Sequence, residues 1–322
     1  MALLLLLIIA TTCADARSKK ERWHYSSRHK GILTAPSKAD DPLMDATLVE
    51  QQMKSRGLYE QQIRPDPTTG VPHVVWTFWF GKPMVGKRLE SFRMIQENIG
   101  VPVMLVTETN LPLCNLSHFP IHSAFPYLSG LHKSDYLRSY FMHFFGGGYH
   151  DIKPETHSWA DKFNELHDSN VWLYGVAETK GGVACDEGFC VKELCTTTPA
   201  SWCSQNNCCR TLTNDEYAKL VVNCEWIMRP RTEMTRIWIE AVKNDLDQQI
   251  DNLKAHPAPF PRCCQHGENN YPLAWAQLQG QKFHPLQYKF LKHIKQGLLP
   301  WEKGGEYFGE NEYVAENVSR SM

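Results

Sequence analysis

The chain has 322 residues, 42% hydrophobic, 11% aromatic and 21% charged, which is enough apolar material for a large core and excludes disorder as the dominant state. Thirty-four Lys and Arg against 35 Asp and Glu leave a formal charge of -1, so no net basic field holds a polyanion, which argues against a nucleic-acid partner. Only one run is strongly apolar, and a polytopic membrane protein is excluded with it.

That run, Ala2 to Ala10, falls well short of the roughly 20 residues a helix needs to span a bilayer. The Ala14-x-Ala16 that follows resembles a small-residue cleavage site, so residues 1–16 read as a signal peptide whose n-region charge is only the start amine. A short signal anchor flanked by the basic stretch Arg17 to Arg22 is the alternative. A cleaved signal sends the chain into the secretory pathway, to the Golgi lumen or the exterior, and leaves no integral membrane span. Cleavage also removes Cys13, and the ten cysteines that remain support up to five disulfides in an oxidising lumen.

Residues 17–69 are polar, mixed in charge and aperiodic, and read as a stem or loosely packed lead-in. Residues 70–303 carry the periodic signals of a folded domain. Val71 to Phe80 is β-branched and aromatic and predicts a buried strand; Leu89, Phe92, Ile95 and Ile99 recur at helical spacing; Val101 to Thr107 predicts a second strand. Together they make a β-α-β unit. Asn115-Leu116-Ser117 is a glycosylation sequon, as is Asn317-Val318-Ser319 near the end, and both agree with the secretory compartment.

The most informative stretch runs from His132 to Pro154. Tyr136, Leu137, Tyr140, Phe141, Phe144 and Phe145 repeat with a helical period, with Ser134 as the expected N-cap, Asp135 in the first turn and Arg138 after it. Gly146, Gly147 and Gly148 then stop the helix and allow a close approach to a neighbour or ligand. Tyr149 to Ile152 enters a short strand, so Asp151 is expected at a strand end, where open α/β sheets place ligand-binding groups. Pro154 biases Lys153 toward an extended backbone, so the Lys153 ammonium and the Asp151 carboxylate can face one side. Such a pair suits a nucleotide diphosphate, the carboxylate through a divalent ion and the lysine through phosphate oxygens.

Val171 to Val176 and Val221 to Met228 predict two further strands, and Met234, Ile237, Trp238, Ala241 and Leu246 one apolar helix face. Between those strands, residues 180–215 hold six cysteines at irregular spacing from Cys185 to Cys209, without the pairs of a zinc site, and read as a disulfide-stapled insertion. Residues 304–322 form a polar tail.

Ser-Asp-x-x-Arg, an aromatic-rich helix, Gly-Gly, Tyr and then an aspartate resembles the glycosyltransferases with the DXD sugar-binding motif and the related capsular polysaccharide synthesis proteins. The likeness runs from about 71 to 290 and includes weaker matches at Tyr271 to Trp275 and Gly280 to Pro285. It implies a GT-A-like fold, that is, an α/β, Rossmann-like mixed sheet flanked by helices. It also implies a nucleotide diphosphate sugar donor, a glycan acceptor, hexosyl transfer with retention of configuration, and Mn2+ or Mg2+ on the motif. By position, Asp151 matches the first aspartate and the metal seat, Asp135 and Arg138 the donor-side helix, and Gly147 and Gly148 the turn between. Lys153 departs from the pattern: it stands where a second acid is common and cannot ligate a metal as an ammonium. His284, expected in a loop, is a candidate second contact to the diphosphate. No nucleophile or base is identifiable.

Two other readings compete. A secreted, catalytically silent carbohydrate-binding relative suits the missing acid, and a metal-dependent hydrolase would need His143, His150 and Asp151 to converge. The last is disfavoured because adjacent strand residues 150 and 151 point to opposite faces.

Overall fold

In the computed structural model, which describes residues 64–81, 83–178, 214–258, 270–274 and 276–300 together with Gln51, one six-stranded sheet carries helices on both faces. Residues 1–16, most of the lead-in, nearly all of the cysteine-rich insertion and the tail lie outside the described residues. In chain order the elements are β1 (Val75–Phe78), α1 (Gly86–Asn98), β2 (Val103–Val106), the single turn α2 (Leu111–Cys114), α3 (Gly130–Phe144), β3 (Gly147–His150) and β4 (Leu173–Ala177). They continue with α4 (Asn214–Tyr217), β5 (Val221–Met228), α5 (Glu233–Ala255), α6 (Gly280–Lys289) and β6 (Ile294–Gln296).

The strand order is β2-β1-β3-β5-β4-β6. β1 runs parallel to β2 and β3, β5 is antiparallel to both β3 and β4, and β6 is parallel to β4. The carboxyl ends of five strands and the start of β5 therefore share one edge. All four residues of β1 are buried, with Val75 packed toward one face and Trp76 and Phe78 toward the other, as expected of a strand covered on both sides. It is shorter than the expected 71–80 because Pro72, which has no N–H, takes part only in an isolated bridge to Pro65.

On one face, Trp76, Tyr149 and Trp226 meet residues of α3, α5 and α6; on the other, Val75, Tyr174 and Ile227 meet Ile95 of α1 and Phe163 of the 3₁₀ helix Ala160–His167. The helix predicted around Tyr136 is present but starts earlier. Ser129, not Ser134, is its N-cap, accepting a hydrogen bond from the His132 N–H, and this places Asp135 in the second turn, facing inward. Periodicity alone could not find that start, because Gly130 to Lys133 carries no apolar repeat.

Gly146 follows the last helical turn with φ +70, and a Cβ there would lie 2.5 Å from Cδ of Pro230. Gly147 and Gly148 are not turn residues. They open β3 in the sheet interior, where a Cβ would meet the Val74 carbonyl oxygen at 2.9 Å or Cγ2 of Val75 at 2.8 Å.

Cys114 and Cys224 are buried, and no disulfide is seen among the described residues. The stapled insertion falls outside them. Among the described residues no helix is long and apolar enough to cross a membrane.

Candidate functional site

From β1 the chain passes by way of α1 to β2 on one side, whereas β3 lies on the other side of β1 and leads away toward β4. The carboxyl ends of β1 and β3 are thus a topological switch point, the place where an open sheet parts to leave a crevice. Asp151 is the first residue beyond β3, with its N–H bonded to the Cys224 carbonyl at 2.9 Å and its side chain 27% exposed.

Three protein groups hold that side chain. Its Oδ1 accepts from the Tyr149 hydroxyl at 2.6 Å and from Nη2 of Arg138 at 3.0 Å, and its Oδ2 lies 3.4 Å from Nζ of Lys153. Arg138 is fixed in turn by the Asn223 carbonyl at 3.0 Å, by Asp135 at 3.5 Å and by the Tyr149 ring, whose centroid lies 4.6 Å away. Helix α3 therefore contributes its Asp-x-x-Arg to the end of β3, because i and i+3 residues share a face. Burial raises the Asp151 carboxyl, yet Arg138 and Lys153 outweigh it and hold the group at about 2. Asp135 goes the other way: burial dominates Arg138's attraction and lifts it to about 7. Lys153 is held above the ordinary lysine value, since the attraction of Asp151 exceeds the penalty of burial.

Strand β5 completes the site. Gly175 pairs with Trp226 and Ala177 with Val221, so β5 carries extra residues across Val222 to Glu225. Bulges of this kind re-aim side chains at sheet edges. Here the bulge brings the Asn223 and Cys224 carbonyls to Arg138 and Asp151, and the Cys224 thiol to Lys153. It also sets Glu225 opposite His150, both at 0% side-chain exposure. Burial lifts Glu225 to about 7 against the pull of His150 and Lys153. At the crevice Arg138 and Lys153 face the ionised Asp151, while Asp135 and Glu225, both lifted to about 7, carry less than a full negative charge at neutral pH. Arg88 of α1 adds a third cation, donating to the Ile152 carbonyl.

The chain has no match among family models, curated proteins or solved structures. The site's chemistry therefore rests on its own geometry.

Asp135, Arg138, Asp151 and Lys153, expected from the sequence to act together, are brought together. Gly147 and Gly148 are not at the site: both lie at the opposite end of β3 from Asp151, packed against β1. His284 is in α6 rather than a loop, fully buried, with Nε2 3.3 Å from Glu178 and neither ring nitrogen hydrogen-bonded to a described group. Glu178 follows β4, so this pair stands on the same sheet edge as Asp151, with β5 between. His143, His150 and Asp151 do not converge. Nδ1 of His143 lies 3.1 Å from the Thr235 hydroxyl on α5, and His150 turns to Glu155 and Glu225.

Among the described residues no three His, Cys, Asp or Glu side chains are grouped to hold a metal ion. Asp151 by itself does not fit Mn2+ or Mg2+ as expected: Oδ1 already accepts two donors, and Oδ2 faces an ammonium that repels a divalent cation.

Tyr149, Glu155, Cys224 and Glu225 are site residues that sequence reasoning missed. Tyr149 was visible in the motif, two residues before the aspartate. Cys224 and Glu225 carry no local signal, because only the pairing of β3 with β5 brings them under the turn, and Glu155 reaches His150 only through the path of the loop that follows β3.

Proposed function

We propose that the chain is a glycosyltransferase of GT-A-like architecture that works in the secretory pathway and transfers a hexose from a nucleotide diphosphate sugar to a glycan hydroxyl. One observation carries the reading: at a topological switch point an ionised, partly open carboxylate sits between two fixed cations. A diphosphate leaving group gathers negative charge as the glycosidic bond breaks, and preorganised positive charge in a poorly hydrated crevice stabilises it. Lys153 supplies that charge most directly, and Arg138 holds Asp151 toward the donor's sugar or ribose hydroxyls. The start of α1, which follows β1 at the same edge and has no side-chain cap, adds N–H groups of the kind that suit phosphate. Retention of configuration follows from the family resemblance alone.

The test is thermal unfolding with UDP, GDP or ADP, with and without Mn2+. One of them is expected to stabilise the protein, by about 2.7 kcal/mol at a concentration one hundred times its dissociation constant. Asp151→Asn and Lys153→Ala should remove most of that gain, and donor hydrolysis should survive a chelator but fall in Lys153→Ala. No shift with any nucleotide would refute the proposal.

A second reading draws on the saturation of Asp151 by the protein's own donors. A sugar-binding protein without turnover would keep such a carboxylate as scaffold. Ligand-induced stabilisation with no hydrolysis of any donor would select it.

A further inference from the structure

His150 has both ring nitrogens committed to oxygen atoms. Nδ1 bonds the Asp151 carbonyl oxygen, and Nε2 lies 3.2 Å from Oε2 of Glu155 and 3.5 Å from Oε1 of Glu225. A carbonyl oxygen can only accept, so Nδ1 must carry a hydrogen. Glu155 is pinned as an acceptor: its other oxygen takes the Thr156 N–H at 2.7 Å, the His157 N–H at 2.6 Å and faces Nδ1 of His157 at 3.1 Å. The arrangement is satisfied when Nε2 is also a donor, which makes the imidazole a cation between two carboxyl groups. The Asp151 carbonyl that receives Nδ1 also accepts the Lys153 N–H at 2.7 Å, closing a three-residue turn. That turn sets the Lys153 ammonium 3.4 Å from the Asp151 carboxylate.

We infer that His150 is a positioning residue: anchored by Glu155 and Glu225 from beneath the sheet edge, it fixes the peptide of Asp151 and so locks the turn that aims Asp151 and Lys153 at a phosphorylated ligand. The role as an aiming device rests on the diphosphate reading; the lock itself does not. The groups facing the ring are the Asp151 carbonyl from the end of β3, Glu225 from β5, Glu155 and its neighbour His157 from the following loop, and the Trp159 ring with its centroid 5.4 Å away. Glu225 makes no hydrogen bond to any described group, so its contribution to the anchor is electrostatic.

The experiment compares His150→Leu, which removes both donors, with His150→Asn, whose side-chain amide can still donate to the Asp151 carbonyl. Hydrogen exchange of the Lys153 amide reads the turn without any ligand. His150→Leu should expose that amide by roughly tenfold or more, the scale of a lost hydrogen bond to a charged group. His150→Asn should restore most of the protection, and with it most of the UDP-induced thermal shift. Nitrogen NMR of the wild-type ring adds a measurement that needs no variant to fold: both nitrogens should carry hydrogens at pH 7. Equal Lys153 exchange in the two variants, or a bare Nδ1 in the wild type, would overturn the inference. Absence of any nucleotide shift in the wild type would refute the diphosphate reading instead, and the exchange comparison would still decide the role of His150.

Discussion

Glu225→Gln should stabilise the protein at alkaline pH and change little in mild acid. Glu225 is fully buried, and neither of its oxygens has a described hydrogen-bond partner. Burial raises its carboxyl from 4.5 to about 7. A raised carboxyl binds its proton more tightly folded than unfolded, so the stabilisation is complete below about 4.5 and is lost as pH climbs through about 7. The gap between the two values corresponds to about 3 kcal/mol. A glutamine has no charge to desolvate and should escape that loss, less whatever attraction the ionised group gains from His150 and Lys153. The variant should exceed the wild type by less than about 1 kcal/mol at pH 5 and by up to about 3 kcal/mol at pH 8.5. In melting temperature that is up to about 6–12 °C for a domain of this order of size. Urea unfolding followed by tryptophan fluorescence at several pH values from 5 to 8.5 measures it. Asp135 and His150 titrate in the same direction, so some slope should remain in the variant. Parallel pH profiles for the two proteins would mean that Glu225 does not carry the buried proton.

Arg138→Met should cost about 1.5–3 kcal/mol in urea unfolding at pH 7, because it removes a charge-assisted hydrogen bond to Asp151 at 3.0 Å while Tyr149 and Lys153 still hold the carboxylate. Tyr149→Phe removes the hydroxyl that donates to Asp151 at 2.6 Å, and should lower stability by about 1 kcal/mol. It should also lift the Asp151 carboxyl above its value of about 2 in a carbon NMR titration. Since a depressed carboxyl stabilises the fold above its unfolded value and loses that on acidification toward about 2, the variant should resist acid less in the range just above. Gly146→Ala meets both a positive φ and Pro230, and a loss of about 1–3 kcal/mol is expected by chemical denaturation.

Much of the architecture was legible because its signals are local. Val221 to Met228 is a strand with the expected bounds, and the apolar face beginning at Met234 belongs to a helix capped by Thr232 and Thr235. The rest failed for physical reasons. Helix α6 contains Pro285, which reads as a breaker, so His284 looked like a loop residue when it is buried in a helix. Gly147 and Gly148 read as a ligand-approach turn, yet the space they save is taken by β1 and Trp159. The Asp151 and Lys153 pair was expected from an extended backbone, whereas a three-residue turn, closed by the Lys153 N–H on the Asp151 carbonyl, brings the two side chains together.

Residue order by itself determined the alternation of strand and helix, the glycine stop after α3, and the placement of Asp135, Arg138, Asp151 and Lys153 within one short segment, since each depends on neighbours a few positions apart. Only the folded sheet decided that β5 runs antiparallel between β3 and β4 and bulges beside the turn. That crossing buries Glu225 against His150, seats Cys224 beside Lys153 and brings the Asn223 and Cys224 carbonyls to Arg138 and the Asp151 N–H. Contacts between residues some 75 positions apart leave no period in the chain, and the charge state of a carboxyl group is set by what surrounds it in space.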